Sequence, residues 1–206
     1  MTDLGPIRRT PKSGSELFHD GDRVLDFDVL SFWQWSASDM VSNVLRGVLA
    51  EYLVARAIGA AAGVREEWAA YDLRDARGFT IEVKSAAYIQ SWHQNRLSAI
   101  IFNCRETWGW NSETGGQADV KRRQAQVYVF ALLAHTEQAT LDPLDVAQWE
   151  FYVLPTKVLD ARVQSQHSIT LKSLRTLHAH PPIAYGDLSR AIGDAGAADT
   201  LAIDGK

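Results

Sequence analysis

The stretch FTIEVKSA, residues 79–86, decides the fold class of this chain. Side chains of a strand alternate between its two faces, so Ile81 and Val83 share one face while Glu82 and Lys84 share the other. The pattern predicts a strand with one face in a hydrophobic core. Its charged face either carries a functional site or is simply exposed to solvent. The second interpretation needs no function, because an exposed ion pair on an edge strand contributes only about 0–1 kcal/mol to stability.

The composition around this strand is that of one soluble globular domain. The chain has 206 residues, of which 46% are hydrophobic and 22% charged, enough for a single domain with a full core. Residues 1–22 are rich in Gly, Pro, Ser and charge, which predicts a loosely ordered N-terminal arm. The small residues from Gly193 onward predict a frayed end. We therefore predict one domain over residues 1–206, with a flexible tail over 195–206.

Charge and cysteine content exclude several classes of protein. The net charge of −4 argues against bulk electrostatic coating of nucleic acid, although it leaves local basic surfaces open. The single Cys104 excludes a disulfide framework and a cysteine-rich zinc site. No apolar run approaches the roughly 20 residues of a membrane span, and the first residues lack the apolar stretch of a signal peptide. We expect a cytoplasmic protein with no membrane partner.

The pattern of apolar residues predicts an α/β domain with a central mixed β-sheet flanked by helices. A helix is expected to begin at Ser38 or Asp39, either of which can cap it, and to run to about Gly59. Three shorter helices are expected near residues 156–163, from Ser173 and from Tyr185. Strands are expected at 66–74, 79–89, 97–104, 126–134 and 149–155.

Glu51 lies in the middle of an apolar stripe of the first long helix. Projected at about 100° per residue, Val48 and Val54 fall within roughly 60° of it. A charge in that place is costly unless it is paired or binds a metal. The candidate partners Arg46 and Arg56 project well away from it on the helix. We favour a functional role for this glutamate and keep a structural ion pair as the alternative.

Asp72 supplies a further carboxylate at the end of the preceding strand. If the turn between the two strands has an odd number of residues or a bulge, Asp72 lies across from Glu82 on the same face. A four-residue turn would place it across from Ile81 instead. Asp75 is the fallback ligand, although Asp is favoured in turns for its local hydrogen bonds.

Converging carboxylates with a nearby lysine suit a hard cation such as Mg²⁺, which binds carboxylates, water and phosphate oxygens. Such a cation lowers the pKa of a bound water and stabilises negative charge that develops on a phosphodiester. Lys84 could hold the attacking water or a phosphate oxygen, or help to take a proton.

The order of these residues resembles the PD-(D/E)XK nuclease superfamily, which has the restriction-endonuclease-like fold. The resemblance covers roughly residues 38–135 and depends on Glu51 on a helix, Asp72 at a strand end and the sequence Glu-Val-Lys at 82–84 on the next strand. The proline that precedes the aspartate in the family is absent, since Tyr71 stands there. The Gln124 to Tyr128 segment also resembles a Gln-x-x-x-Tyr element of one exonuclease branch, but it has a strand pattern and is left out of the catalytic set.

The resemblance implies a Mg²⁺-dependent endonuclease that hydrolyses nucleic acid, with DNA favoured and Mn²⁺ as a substitute metal. Asp72 and Glu82 would be metal ligands, and the carbonyl of Val83 would complete the shell. Lys84 would serve the nucleophilic water. Glu51 would reach the metal directly or through water. The same resemblance allows a homodimer.

A stretch further along the chain predicts a nucleic-acid contact. Trp108 and Trp110 lie in a loop that leads to Lys121, Arg122 and Arg123. Aromatic rings can stack on bases while cations meet phosphates. The simpler interpretation, which we favour, packs both tryptophans against the core.

The alternative function is a non-catalytic binding module on the same fold, in which Glu51, Glu82 and Lys84 form a structural ion network. Other enzyme classes lack their motifs. The chain has no phosphate-binding glycine loop, no Rossmann glycine pattern and no Gly-x-Ser-x-Gly sequence. His178 and His180 have no further ligand near them in sequence, so a zinc site is not expected.

Overall fold

The computed structural model describes residues 5–111, 114–163 and 166–200. Its helices are α1 Val29–Ala37, α2 Asn43–Ala57, α3 Thr156–Arg162, α4 Leu171–His178 and α5 Leu188–Thr200. Its strands are β1 Leu17–Asp20, β2 Arg23–Asp28, β3 Leu73–Arg74, β4 Thr80–Ala87, β5 Ile101–Asn103, β6 Thr107–Asn111, β7 Gly116–Arg122, β8 Val127–Leu133, β9 Trp149–Pro155 and β10 Ser168–Thr170.

A mixed four-stranded sheet of order β3-β4-β8-β9 forms the centre of the protein. Strands β4 and β8 are parallel, and the other neighbours are antiparallel. All seven residues of β8 are buried, as expected for a strand covered on both faces. Helices α2 and α5 pack on one face, and side chains of α3 and α4 such as Leu159 and Leu174 pack on the other. The predicted α/β class, with a central mixed sheet flanked by helices, is confirmed.

Helix α2 begins four to five residues later than the sequence pattern predicts. Ser38 is the C-cap of α1, and Asp39 accepts a hydrogen bond from the amide of Ser42. Ser42 is therefore the N-cap, and its hydroxyl accepts from the amide of Leu45 at 3.4 Å. At 15 residues α2 is the longest helix of the described ranges, and none of the helices there is long and apolar enough to cross a membrane.

The expected strand at 66–74 is reduced to the two residues of β3. Upstream of it the chain forms a loop, in which Glu66 forms an ion pair with Arg9 at 2.5 Å. Only one further ladder bond extends the pairing, from the amide of Asp72 to the carbonyl of Ile81 at 3.1 Å. Beyond that point, none of the described strands pairs with this edge of β4.

Within the expected loose arm over residues 1–22, residues 17–22 form β1 and the turn that leads into β2. Gly21 has a φ of +60° in the two-residue turn Gly21-Asp22 between the strands, and Gly-Asp is a typical hairpin sequence. Asp28 and Ser31 form a capping box at the start of α1. Helix α1 has no buried residue, and Trp35 is 85% exposed.

The first half of the expected tail over residues 195–206 is helical instead. Helix α5 continues through residues 195–200, and the last six residues lie outside the described residues. Gly193 and Gly196 lie against Arg77 and Phe79 so closely that a Cβ at either position would collide with those side chains. The small residues that predict a frayed end therefore allow α5 to pack tightly.

Candidate active site

The turn between β3 and β4 is held by one carboxylate. It has five residues, 75–79, and closes through a hydrogen bond from the amide of Asp75 to the carbonyl of Phe79 at 3.1 Å. The Asp75 carboxylate accepts from the amides of Phe79 and Arg77 and pairs with the Arg77 guanidinium at 2.7 Å. The guanidinium also donates to the carbonyl of Ser189 on α5 at 2.9 Å. Asp75 thus shapes the turn and does not take part in the site.

This odd-numbered turn decides the register of the site. Leu73 pairs with Ile81, and this register continued by one residue brings Asp72 opposite Glu82. That arrangement is the first of the two alternatives that the sequence allows, and it brings the two carboxylates to the same edge of the sheet.

Asp72 lies at the centre of the cluster. Its Oδ2 accepts a hydrogen bond from the amide of Val83 at 2.7 Å, and its other oxygen accepts none from the part of the chain that the structure describes. Burial raises the pKa of Asp72 to about 7, and the charges of Glu82 and Glu51 add to the rise, while the Val83 amide and Lys84 oppose it. A carboxyl that is half protonated near neutral pH is poised to exchange its proton for a cation.

Glu82 and Lys84 form an ion pair on β4. The ammonium Nζ lies 2.5 Å from Oε1 of Glu82, and the two side chains, Lys84 and Glu82, are 29% and 18% exposed. Burial acts to lower the pKa of Lys84, but Glu82, Asp72 and Glu51 together outweigh it and raise the pKa. Lys84 is therefore charged at neutral pH and acts as a donor rather than as a base. Tyr128, across from Glu82 on β8, has its pKa raised by burial and stays neutral.

Glu51 reaches the cluster from α2 and has a partner that the sequence analysis missed. Arg65 binds it in a bidentate manner, with Nε to Oε2 at 2.5 Å and Nη2 to Oε1 at 2.8 Å. Neither Arg46 nor Arg56 takes that place. The hydrogen bond to Glu51 raises the pKa of Arg65, and Asp72 adds to the rise. Arg65 lies in a loop without a periodic pattern, so the sequence holds no signal for this contact.

The cluster combines three carboxylates with two cations. Within the described ranges, no three His, Cys, Asp or Glu side chains are arranged to hold a metal ion, because Glu51 and Glu82 turn toward their cationic partners. The oxygen donors nevertheless match those of Mg²⁺ in kind, and one Asp72 oxygen accepts no hydrogen bond from the described residues. The donor set is thus of the chemical kind that binds a divalent cation, while two of its carboxylates are held in ion pairs with Arg65 and Lys84.

Two clefts adjoin the segment that carries Asp72. One, of about 310 Å³, is lined by Glu51, Arg65 and Asp72 together with Tyr52 and other residues of α2 and the following loop. The second, of about 620 Å³, lies between residues 66–71 and the β6–β7 hairpin, where Trp110 lines it. Glu51 and Asp72 of the carboxylate cluster therefore line a cleft that a ligand can enter.

The predicted loop at Trp108 and Trp110 is a β-hairpin of β6 and β7. Trp108 pairs with Lys121, whose Nζ lies 5.2 Å from the centre of the indole ring. The two tryptophans are 46% and 44% exposed, so the expectation that both pack against the core is wrong. The hairpin presents aromatic rings and a cation on one surface.

The cationic run after the hairpin divides into an outer and an inner part. Arg122 is exposed, and its Nε donates to Gln124 at 3.3 Å. Arg123 is buried, where it pairs with Asp160 at 2.6 Å and donates to the carbonyl of Cys104 at 2.7 Å. The prediction that Arg123 contacts nucleic acid is therefore not supported by its position, since its guanidinium faces the interior.

The assignment of this site depends on its own chemistry, because a fold alone does not determine function. No family model matches the sequence, and no curated protein is significantly similar to it.

Proposed function

We propose that the protein is a metal-dependent nuclease of the PD-(D/E)XK type that hydrolyses phosphodiester bonds in nucleic acid, most readily DNA. The observation that carries this proposal is the convergence of Glu51, Asp72, Glu82 and Lys84 on one open edge of the sheet. Burial is the main cause of the raised pKa of Asp72, and the charges of Glu82 and Glu51 add to the rise while Lys84 opposes it, so the four groups interact electrostatically. Clusters of this kind are typical of catalytic sites.

Asp72 and Glu82 would hold Mg²⁺, or Mn²⁺ in its place, with the carbonyl of Val83 and with Glu51 directly or through water. Bound there, the cation would supply a water of lowered pKa and would offset negative charge on the phosphate. Glu51 first has to leave Arg65. The freed guanidinium then lies beside the cleft, where it can pair with a phosphate oxygen in the bidentate manner that suits arginine.

Lys84 acts in this mechanism as a charged donor. Its ammonium orients the water or a non-bridging phosphate oxygen, because the surrounding carboxylates keep it protonated. The water oxygen forms a bond to phosphorus as the water loses a proton to solvent, the bond from phosphorus to one sugar oxygen breaks, and that oxygen takes up a proton from solvent. The products are a phosphate monoester and a hydroxyl end.

The β6–β7 hairpin would contribute to nucleic-acid binding. Trp108 and Trp110 offer exposed rings for base stacking, and Lys121 and Arg122 offer cations for the phosphates. A homodimer and a cytoplasmic location remain parts of this proposal that follow from the sequence resemblance and the composition.

Cleavage of supercoiled plasmid in Mg²⁺ or Mn²⁺ tests the proposal. Lys84→Met and Glu82→Gln should each lower the rate at least about 100-fold, because each removes a group that acts on the reacting atoms. Lys172→Met, which changes an exposed lysine on α4, should cleave like the wild type. Cleavage that persists in both site variants, or that needs no divalent cation, would refute the mechanism.

A non-catalytic binding module is the second candidate. It is favoured by the two closed ion pairs, Glu51 with Arg65 and Glu82 with Lys84, which satisfy the charges without a metal. DNA binding by the wild type that Lys84→Met and Glu82→Gln leave unchanged, without cleavage by any of the three, would support this candidate. Fluorescence anisotropy with a labelled duplex measures the binding.

A further inference from the structure

Arg46 on α2 is a buried cation whose hydrogen-bond partners in the described ranges are all neutral. Arg46 is only 4% exposed to solvent. The guanidinium donates to the carbonyl of Val41 at 2.9 Å, to Oε1 of Gln90 at 3.1 Å and to Oδ1 of Asn43 at 2.7 Å. Over residues 5–111, 114–163 and 166–200, no carboxylate lies within ion-pair distance of it.

A buried charge without a counter-ion is unusual because its desolvation is costly. Burial lowers the pKa of Arg46, and its buried Nε has no hydrogen-bond partner among the residues that the structure describes. By contrast, the buried Arg123 has a carboxylate partner, Asp160, at 2.6 Å. Arg46 therefore retains both an uncompensated charge and an unused donor within this part of the chain.

Arg46 lines a cavity of about 320 Å³ where the first turn of α2 meets the end of β4. This volume is at the lower end of the roughly 300–1,000 Å³ of ligand pockets. The other polar groups that line it include Asn43, Gln90, Ser85 and Ser98, and none of its described lining residues is acidic. The start of a 15-residue helix adds partial positive charge at the same place.

We propose that this cavity binds a single phosphate group, with Arg46 as its counter-charge. The guanidinium geometry matches phosphate oxygens. Serine hydroxyls and side-chain amides can donate to the remaining oxygens, because each carries at least one donor hydrogen. A bound phosphate would supply the negative charge that the described part of the protein does not place beside Arg46.

The cavity and the candidate active site are built on the same two elements, α2 and β4. Arg46 and Glu51 are five residues apart on α2, roughly 7.5 Å along the helix axis, and Ser85 follows Lys84 on β4. A phosphate at the end of a nucleic-acid strand is one source of the ligand, and that assignment rests on the proposed function. Free inorganic phosphate is the other source. The binding site itself does not depend on nuclease activity.

Thermal unfolding without divalent cations tests the site, with sodium phosphate compared with sodium chloride at equal ionic strength. At about ten times its dissociation constant, phosphate should raise the Tm of the wild type by about 3–6 °C. Arg46→Met should lose this rise. The matched control Arg56→Met, an exposed arginine on the same helix, should keep it. An equal rise in all three proteins, or none in the wild type, would overturn the proposal.

Asn43→Asp provides a test that does not remove the buried cation. The new carboxylate would stand 2.7 Å from the guanidinium, where the amide oxygen is now, and would act as an internal counter-ion. We expect this variant to have a higher Tm than the wild type without phosphate and no response to phosphate. A wild-type response in Asn43→Asp would contradict the proposed role of Arg46, whether or not Arg46→Met folds.

Labelled oligonucleotides with a 5′-phosphate, a 3′-phosphate or only hydroxyl ends distinguish the two sources. Binding that is at least tenfold tighter for one phosphorylated end, and that Arg46→Met abolishes, identifies a strand end as the ligand. Equal binding of all three, together with the phosphate response of the Tm, identifies free phosphate. If plasmid cleavage fails while the phosphate response persists, the nuclease proposal is wrong and the phosphate site stands.

Discussion

Replacing Asp72 by asparagine should stabilise the protein above neutral pH. The carboxyl has a pKa of about 7 in the folded protein against an ordinary value of 3.8. Between these values the folded state binds more protons than the unfolded state, so the contribution of this group to the free energy of unfolding falls as the pH rises through the window. The side-chain amide of Asp72→Asn would not titrate, and its oxygen can still accept the hydrogen bond from the Val83 amide.

The size of the effect follows from the same two pKa values. Each pH unit between the two pKa values is worth about 1.4 kcal/mol, so Asp72 lowers the free energy of unfolding by about 4 kcal/mol at pH 8. At pH 4.5, where the folded state holds this carboxyl protonated, the loss is about 1 kcal/mol. The advantage of Asp72→Asn over the wild type should therefore grow by about 3 kcal/mol between pH 4.5 and pH 8. For a chain of this length that is roughly 6–12 °C in Tm.

Thermal unfolding of both proteins at pH 4.5 and pH 8, without divalent cations, measures the change. Asp119→Asn, at an exposed position on β7, is the control and should follow the wild type at both pH values. Mg²⁺ at pH 8 should then stabilise the wild type and not Asp72→Asn. A Tm difference that does not depend on pH would refute the electrostatic account of the cluster.

Arg65→Gln should tighten Mn²⁺ binding about two- to fivefold by releasing its glutamate partner. Isothermal titration calorimetry measures the dissociation constant of Mn²⁺. An equal decrease in the control Arg56→Gln would contradict the idea that Arg65 and the metal compete for Glu51. Arg123→Met should lower the free energy of unfolding in urea by about 2–4 kcal/mol, because it removes a buried guanidinium that donates to Asp160 and to the carbonyl of Cys104. Arg122→Met should change it by less than about 0.5 kcal/mol, and equal losses would mean that the two arginines do not differ as described. Lys121→Met should reduce the slope of log K for DNA binding against log salt by about 0.9. An unchanged slope would place Lys121 outside the interface.

Much of the site can be predicted from the sequence, because the patterns of apolar and charged residues are clear in the strand and the helix that carry it. The alternation at 79–86 predicts β4, and the position of Glu51 in an apolar stripe correctly calls for a partner. Asp72 is predictable only up to a choice of register, since the number of turn residues depends on the hydrogen bonds that Asp75 makes. Arg65 could not be predicted, because a loop contact 14 residues away along the chain leaves no periodic signal.

Other expectations from the sequence differ from the structure for identifiable physical reasons. Trp108 and Trp110 were expected in the core because aromatic burial is favourable, yet the hairpin that carries them leaves both rings half exposed. Arg123 belongs to a cationic run that reads as surface, and only the fold reveals that it turns inward to Asp160. The Gly-Asp turn at residues 21–22 is a hairpin signal that the overall composition of the first 22 residues hides.

The close approach of α5 to the β3–β4 turn has a practical consequence. The absence of a Cβ at Gly193 and Gly196 leaves room for the side chains of Arg77 and Phe79, and Arg77 donates a hydrogen bond to the carbonyl of Ser189. Trimming the protein at residue 192, where the sequence looks dispensable, would remove the two glycines that lie against this turn. We expect such a shortened protein to keep a folded sheet but to lose alignment of its acidic residues, so a failed assay on it would be a fault of truncation rather than evidence about chemistry.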